Sequence, residues 1–252
     1  MTERVQERTP IATHPTLRHY YADDQHRQQF VNDLFDSAAF HYDRVERFLS
    51  LGSGAWYRAE VLRRTGLREG MRVIDIASGT GLVARTASQI VGQSGLVVGI
   101  DPSRGMLSVA QQGVDARFVQ AVGEAIAVRS GVFDFLTMGY ALRHVSDLRA
   151  AFSEYHRVLK SGGQLVIMEL TVPRSRMLAS LLRLYMSRVI PAAVRWRTGS
   201  RDAERMMRYY WDTTASCVPP ETILEALRAA GFRDVRRDVQ FGMFSEYRGT
   251  RA

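Results

Sequence analysis

Residues 72–82 read Arg-Val-Ile-Asp-Ile-Ala-Ser-Gly-Thr-Gly-Leu, an apolar run that leads into the glycine-rich stretch Asp75-Ile76-Ala77-Ser78-Gly79-Thr80-Gly81. A short run of Val and Ile with little polar alternation is typical of a parallel strand covered on both faces. A helical pattern follows directly over residues 82–91. Small residues between a strand and a helix let the backbone approach a nucleotide at the start of the helix. This segment therefore predicts a nucleotide-binding loop.

Strand and helix patterns alternate on the C-terminal side of this loop, as in βαβ units. The predicted strands are 72–77, 96–101, 116–120, 133–138, 164–170, 233–240 and 243–248. The predicted helices are 82–91, 105–111, 148–159 (ended by the basic, glycine-rich residues 160–163) and 221–230. Together they predict an α/β fold with a mostly parallel, doubly wound sheet of seven strands and helices on both faces.

Three further segments complete the predicted domain organisation. Residues 1–29 are polar and predict a flexible N-terminal arm, and residues 30–65 have helical spacing and predict a helical cover. Residues 30–252 are expected to form a single domain that contains a helical lid insertion over residues 174–215.

Composition excludes several classes of protein. The 252 residues are 46% hydrophobic and 24% charged, which is ordinary for a globular chain and argues against disorder. A single cysteine, Cys217, excludes an internal disulfide framework and a cysteine-rich zinc site, and the scattered histidines predict no metal. The N-terminus does not resemble a signal peptide, and arginines interrupt the apolar stretches. We therefore expect a cytoplasmic protein without a membrane span.

The net charge of +8 raises the question of an anionic partner. Nucleic acid is not favoured, because the basic residues are spread along the chain and Lys160 is the only lysine among them. Residues 174–197 are strongly amphipathic and rich in arginine. They could form a lid over an apolar pocket, an interfacial helix on anionic lipid at the inner membrane face, a homodimer contact, or a helix packed on the sheet.

Two carboxylates indicate which nucleotide is bound. Asp101 closes the second strand, twenty residues after Gly81, where it could accept both ribose hydroxyls of a nucleoside. Asp75 precedes the glycines of the loop, where its charge would repel a phosphate but suit a cationic amino-acid ligand. The pair favours S-adenosylmethionine over a dinucleotide.

The segment Asp101-Pro102-Ser103-Arg104-Gly105-Met106-Leu107 resembles the second motif of class I methyltransferases. The loop of residues 75–81 and three further segments resemble motifs of one family in that class, the ubiquinone/menaquinone biosynthesis C-methyltransferases (UbiE/MenG), from about residue 34 to the C-terminus. The three segments are Leu34-Phe35-Asp36-Ser37-Ala38-Ala39 with Tyr42-Asp43, Tyr140-Ala141-Leu142-Arg143-His144-Val145, and Arg157-Val158-Leu159-Lys160-Ser161-Gly162-Gly163. The resemblance implies a Rossmann-like fold and conversion of S-adenosylmethionine to S-adenosylhomocysteine.

The resemblance also implies a set of cofactor contacts. By this resemblance, Thr80 and Asp101 are expected to contact S-adenosylmethionine, the Val122-Gly123 pair to flank the adenine, and Gly139 to lie beside the methionyl part. The complete predicted set is Asp75, Ala77, Ser78, Gly79, Thr80, Gly81, Asp101, Pro102, Met106, Val122, Gly123, Glu124 and Gly139. The family generally has Asn or Asp where this chain has Val122, and Asn where it has His144.

The implied reaction is methylation of a quinol or phenol ring carbon of a small aromatic or lipophilic acceptor. His144 is the candidate general base, because imidazole titrates near neutral pH. Arg143 is the candidate stabiliser of a phenolate and Tyr42 would orient the same oxygen, while Glu169 could act as a second base. His144 and Tyr42 could also be purely structural. Open alternatives are an O- or N-methyltransferase of a specialised pathway, a nucleic-acid-binding protein, and a binder of the cofactor without catalysis.

Overall fold

The computed structural model describes residues 10–50 and 52–252. Its strands are β1 (Arg72–Ile76), β2 (Leu96–Asp101), β3 (Arg117–Gln120), β4 (Phe133–Gly139), β5 (Leu159–Leu170), β6 (Phe232–Gln240) and β7 (Phe244–Arg251). They form one sheet in the order β3-β2-β1-β4-β5-β7-β6. β7 runs antiparallel to both of its neighbours, and the pairs from β3 to β5 are parallel. The prediction of a mostly parallel α/β sheet is confirmed.

Helices cover both faces of this sheet and its carboxyl edge. They are α1 (Asp24–Leu49), α2 (Gly54–Arg64), α3 (Leu82–Val91), α4 (Arg104–Gly113), α5 (Leu148–Val158), α6 (Arg176–Leu184), α7 (Ile190–Thr198), α8 (Arg201–Ala215) and α9 (Pro220–Ala229). A π-helical turn, Tyr185–Val189, joins α6 and α7 into one continuous helix. A short 3-10 turn, Leu142–His144, follows β4.

The alternation of side chains along the central strands explains why both faces are covered. Val73 and Phe135 pack toward α2 and α3, whereas Ile74 and Leu136 belong to the cluster shared with α5 and α9. A third apolar cluster unites α1 with the helices from α6 to α8. This cluster lies beside the carboxyl ends of the strands, where α/β folds bind their ligands.

The sequence placed some boundaries well and others less well. β2 and α3 have the predicted bounds. Residues 160–163, predicted to end a helix, instead belong to the irregular start of β5, because Leu159 already pairs with Phe133 before the register shifts.

The N-terminal cover also differs in its start. α1 begins at Asp24, six residues before the expected position, since Asp23 caps it by accepting hydrogen bonds from two backbone amides. Residues 1–9 of the expected arm lie outside the described residues, whereas Thr13 is buried and donates to the carbonyls of Arg143 and Val145. The arm is therefore packed over part of its length.

One helix among the described residues is long and apolar enough to cross a membrane by composition. It runs from Arg176 to Thr198 with a mean hydropathy of 1.3 over its most apolar window, although Arg183 and Arg188 interrupt the apolar run as expected. One helix of this kind is weak evidence for a span, and Leu182, Met186 and Ile190 pack it onto the core.

Candidate active site

The loop after β1 has the backbone conformation expected of a turn that receives a ligand. Ala77, Gly79 and Gly81 all have positive φ, at 51°, 54° and 81°. A Cβ at Gly81 would lie 2.9 Å from a methyl carbon of Val114, so this position requires glycine for space as well as for φ. A Cβ at Gly79 would meet nothing within 4 Å, because its Cα faces open space. The loop leaves room above its own backbone.

Asp101 holds the loops after β1 and β2 together. One of its carboxylate oxygens accepts the backbone N–H of Gly79 and the other accepts that of Ser103, each at 2.8 Å. Burial of the carboxyl raises the pKa of Asp101 to about 6, although both hydrogen bonds act against this shift. A buried acceptor at the end of β2 is thereby oriented toward the space above Gly79.

A cavity of about 80 Å³ lies above this loop and brings much of the predicted site together. Of the site residues predicted from the sequence, those that line this cavity are Tyr42, Ala77, Gly79, Asp101, Pro102, Met106, Gly139, Arg143 and His144. Asp75, Ser78, Thr80, Gly81, Val122, Gly123 and Glu124 do not line it. Glu124 instead accepts the backbone N–H of Ser146 at 2.8 Å. The roles of these residues toward the cofactor stay predictions.

Unpartnered polar atoms beneath the loop fit a cationic amino-acid ligand. Asp75 is fully buried; its carboxylate interacts weakly with the backbone N–H of Ala84 and has no side-chain partner among the described residues, where the hydroxyl of Ser78 also has no hydrogen-bond partner. Burial raises the pKa of Asp75 well above its usual range. A buried carboxyl with so little hydrogen bonding is costly. The donor set therefore fits S-adenosylmethionine, whose charged amino group would satisfy it directly or through water.

Helix α1 reaches both of these loops through aspartates. One oxygen of Asp36 accepts the hydroxyl of Ser103 at 2.5 Å and the backbone N–H of Gly105 at 2.8 Å, at the N-terminus of α4. Two helical turns further along α1, Asp43 accepts a hydrogen bond from the hydroxyl of Thr80. The side chain of Thr80, predicted from the resemblance to contact the cofactor, is thus bonded to α1.

Arg143 and Glu169 form a buried ion pair beside the cavity. Each side chain is only 2% exposed, and Nη1 of Arg143 lies 2.9 Å from Oε1 of Glu169. The same Nη1 donates to the carbonyl of Tyr140. The guanidinium carbon lies 3.8 Å from the centroid of the Tyr210 ring, a cation–π distance. Glu169 is therefore engaged as the partner of Arg143, which argues against a role as a second base.

His144 lies in an aromatic environment next to Arg143. Its ring stacks on Tyr209 with centroids 5.6 Å apart and meets the edge of Phe35 at 5.3 Å. Neither ring nitrogen has a hydrogen-bond partner among the described residues. Burial and, secondarily, the charge of Arg143 lower the pKa of His144 well below its usual value. The imidazole is therefore neutral at physiological pH.

A second, larger cavity of about 410 Å³ adjoins the first. Tyr42 and Tyr140 line both cavities, so the two meet at these side chains. Desolvation raises the pKa of the Tyr42 hydroxyl to about 12, so this hydroxyl remains protonated. The wall is otherwise mainly apolar and aromatic.

Sequence reasoning missed most residues of this larger wall. Glu46 lines it and accepts Nη1 of Arg58 at 2.8 Å. Tyr57 also lines it and donates to the fully buried Glu246 at 2.9 Å, a carboxylate that Arg64 and Arg248 neutralise. These polar groups come from segments far apart in the chain, so no local sequence motif predicts that they lie in one wall.

The strand order, the loop after β1 and the buried acceptor after β2 together define a class I S-adenosylmethionine-dependent methyltransferase. Among the described residues, no group of three His, Cys, Asp or Glu side chains is placed to hold a metal ion. Comparison with known proteins agrees with this class and refines it.

The chain belongs to the ubiE/COQ5 methyltransferase family, whose sequence profile matches residues 22–251. It is 31% identical over 229 residues to a ubiquinone/menaquinone biosynthesis C-methyltransferase UbiE of Coxiella burnetii (strain Dugway), covering 87% of this chain and 90% of that protein. The UbiE of Geobacter sulfurreducens is 32% identical over 227 residues, covering 87% of each. A solved S-adenosylmethionine-dependent methyltransferase of Aquifex aeolicus superposes with a TM-score of 0.56 at 21% identity, covering 77% of this chain and 89% of that one.

Proposed function

We propose that the protein methylates a ring carbon of a quinol-type phenol that carries an apolar substituent. The observation that carries the proposal is the junction of the two cavities at Tyr42 and Tyr140. A ring held in the larger cavity would face the loop that holds the cofactor. The similarity of the chain to ubiquinone/menaquinone biosynthesis C-methyltransferases supports the same substrate class.

The chemistry of the larger cavity suits such an acceptor. Apolar side chains such as Leu170, Met207 and Phe244 would take an aromatic ring and an attached hydrocarbon chain out of water. The few polar groups in the wall, among them Glu46 and the hydroxyl of Tyr57, could fix ring hydroxyls by hydrogen bonding. Because Glu46 is already paired with Arg58, a small charged amine would not find a free carboxylate at this position to compensate its lost hydration.

The reaction requires an electron-rich ring carbon held in line with a methyl donor. S-adenosylmethionine supplies an electrophilic methyl group when it is bound. Deprotonation of a ring hydroxyl raises the electron density of the neighbouring carbon, which would take the methyl group as the carbon–sulfur bond of the donor breaks and S-adenosylhomocysteine leaves. The methylated ring carbon then loses its hydrogen as a proton to solvent, and the ring becomes aromatic again. Holding the two partners in line contributes several kcal/mol to the lowering of the barrier.

Three side chains have distinct proposed roles. A ring that reaches past the junction into the smaller cavity, which His144 lines, would give its hydroxyl proton to the neutral imidazole. The lowered pKa of His144 keeps it in the accepting form but weakens it as a base, so the transfer depends on stabilisation of the phenolate by Arg143. The charge of Arg143 favours the phenolate, while its pairing with Glu169 holds the guanidinium in place. Protonated Tyr42, at the junction, donates to the same oxygen. We also propose a cytoplasmic location, with the acceptor as the partner of this site.

The test is turnover with purified protein, S-adenosylmethionine and short-chain demethylated quinols, with mass-spectrometric location of the new methyl. We expect methylation on carbon. We expect His144→Gln to lower kcat by about 100-fold or more, the usual contribution of a general base. The control His156→Gln, a half-buried histidine that lines neither cavity, should leave kcat within about twofold. A methyl found on oxygen, or cofactor binding without turnover, would overturn the proposal.

A further inference from the structure

The helix from Arg176 to Thr198 carries apolar side chains that the rest of the described chain, residues 10–50 and 52–252, leaves exposed. Leu178, Leu181 and Tyr185 follow at helical spacing on one side, and Met177 and Leu184 lie beside them. Met177 is 70% exposed, and Trp196, further along the same helix, is 84% exposed. Contiguous exposed apolar side chains of this size mark an interaction surface.

The same apolar side of the helix leads to the mouth of the 410 Å³ cavity. Tyr185 lines this cavity together with Trp56 and Phe241, which are 63% and 73% exposed. Half-exposed aromatic residues therefore surround the entrance. A hydrocarbon chain could pass from an apolar phase along this helix into the cavity without crossing water.

The charge on this segment selects the partner. Residues 174–197 contain six arginines and no aspartate or glutamate. Arg174, Arg176, Arg183 and Arg188 are exposed and form no ion pair with any residue that the structure describes. A symmetric contact between two copies would place these like charges against one another without acidic partners. An anionic surface complements them.

We propose that this helix docks the protein on an anionic lipid bilayer, with its apolar side at the level of the acyl chains and the cavity mouth facing the membrane. Exposed Trp residues and arginines beside an apolar stripe are the composition of an interfacial helix. The buried stripe of Leu182, Met186 and Ile190 keeps the helix on the protein, so it lies along the bilayer rather than across it. The inference rests in part on the proposed function, because a lipophilic acceptor gives the docking its purpose.

The test is flotation with vesicles of phosphatidylcholine, with and without 30% phosphatidylglycerol in the bilayer. We expect binding only to the anionic vesicles, weakening as salt rises. Replacing Arg176, Arg183 and Arg188 with Gln should lower the partition coefficient roughly 100-fold, at about fivefold for each arginine. The control replaces three exposed arginines on other elements with Gln: Arg117, Arg129 and Arg149.

The control carries the same change in net charge and should retain binding within about twofold. An equal loss in both triple variants would overturn the proposal in favour of nonspecific charge attraction. A double variant on the apolar side of the helix, Leu181→Ser with Leu184→Ser, should weaken vesicle binding at least tenfold. If these leucines instead hold a dimer in analytical ultracentrifugation and their loss leaves vesicle binding unchanged, the surface binds a second copy.

Vesicle binding is measured without turnover, so its outcome is separate from that of the proposed function. If the wild type turns over a short-chain quinol but does not bind the anionic vesicles, the docking proposal is overturned and the proposed function stands. Brominated lipids give a further readout, since they should quench the exposed Trp56 and Trp196 and spare the buried Trp211. No quenching in bound protein would contradict the proposed orientation.

Discussion

The buried pair of Arg143 and Glu169 gives a prediction about stability with a definite magnitude. Replacing Glu169 with Gln leaves a guanidinium that is 2% exposed without its counter-charge. The amide oxygen at the place of Oε1 can still accept hydrogen bonds from Nη1 of Arg143 and from the backbone N–H of Leu170, each at 2.9 Å, but it carries no charge to balance the guanidinium, and the NH₂ group at the place of Oε2 faces the backbone N–H of Arg143. Breaking a buried ion pair on one side costs about 3–5 kcal/mol.

The expected loss is large compared with the whole stability of a domain, which is about 5–15 kcal/mol. For a chain of this size, 1 kcal/mol corresponds to about 2–4 °C in Tm, so Glu169→Gln should lower Tm by roughly 6–20 °C. Differential scanning calorimetry and urea denaturation of the apoprotein measure it. Glu204→Gln is the control, because this carboxylate pairs with Arg208 and Arg195 at the surface and its loss should cost about 0.5 kcal/mol.

A double variant separates the lost pairing from lost packing. Arg143→Met with Glu169→Leu removes both charges and keeps apolar volume, so it should recover most of the stability lost in Glu169→Gln. The reasoning is refuted if Glu169→Gln melts within 2 °C of the wild type, or if the double variant is as unstable as the single one. Either result would mean that water or another group already compensates the guanidinium.

Three further predictions concern the cofactor side. The folded-state pKa of Asp101, about 6, exceeds its unfolded value of 3.8, so the stability it contributes is complete below pH 3.8 and is lost as pH rises through 6. At 1.36 kcal/mol per pH unit this amounts to about 3 kcal/mol, and Asp101→Asn should flatten the apoprotein's unfolding free energy over that range in urea titrations at fixed pH. Asp43→Ala and Thr80→Val should each weaken S-adenosylmethionine binding in calorimetric titration, and the double variant should weaken it no more than the worse single one, because each change removes the same hydrogen bond. Gly139→Ala should cost about 1–3 kcal/mol by thermal melting, since its Cβ would lie 2.7 Å from a methyl of Val83; an unchanged Tm would show that Val83 yields freely.

Local patterns predicted the part of the fold that local physics controls. The strand β2 and helix α3 have the predicted bounds because apolar runs covered on both faces and the residues that follow them leave few alternatives. The start of β5 was mispredicted because Lys160 and its glycines satisfy the pattern of a helix end equally well. Pairing with β4, a contact distant in sequence, decides between the two.

The residues of the candidate site also fall into two groups, those that local sequence predicts and those that only tertiary packing brings together. The loop after β1 and Asp101 were predictable, because a βα turn brings its own residues to the carboxyl edge of the sheet. The wall of the larger cavity was not, since Glu46, Tyr57 and Phe241 meet only through tertiary packing. No local sequence pattern predicts the ion pair between Arg143 and Glu169 or the hydrogen bond from Thr80 to Asp43.

Helix α1 connects the two halves of the site. Asp36 and Asp43 bond the loops after β2 and β1, while Tyr42 lies at the junction and Glu46 lines the larger cavity. Because one helix carries all four side chains, we expect a displacement that opens the loops after β1 and β2 also to open the wall of the larger cavity. If so, cofactor binding would strengthen acceptor binding, and by thermodynamic linkage a bound acceptor would tighten the cofactor by the same factor; equal cofactor affinity with and without acceptor in calorimetric titration would contradict this expectation.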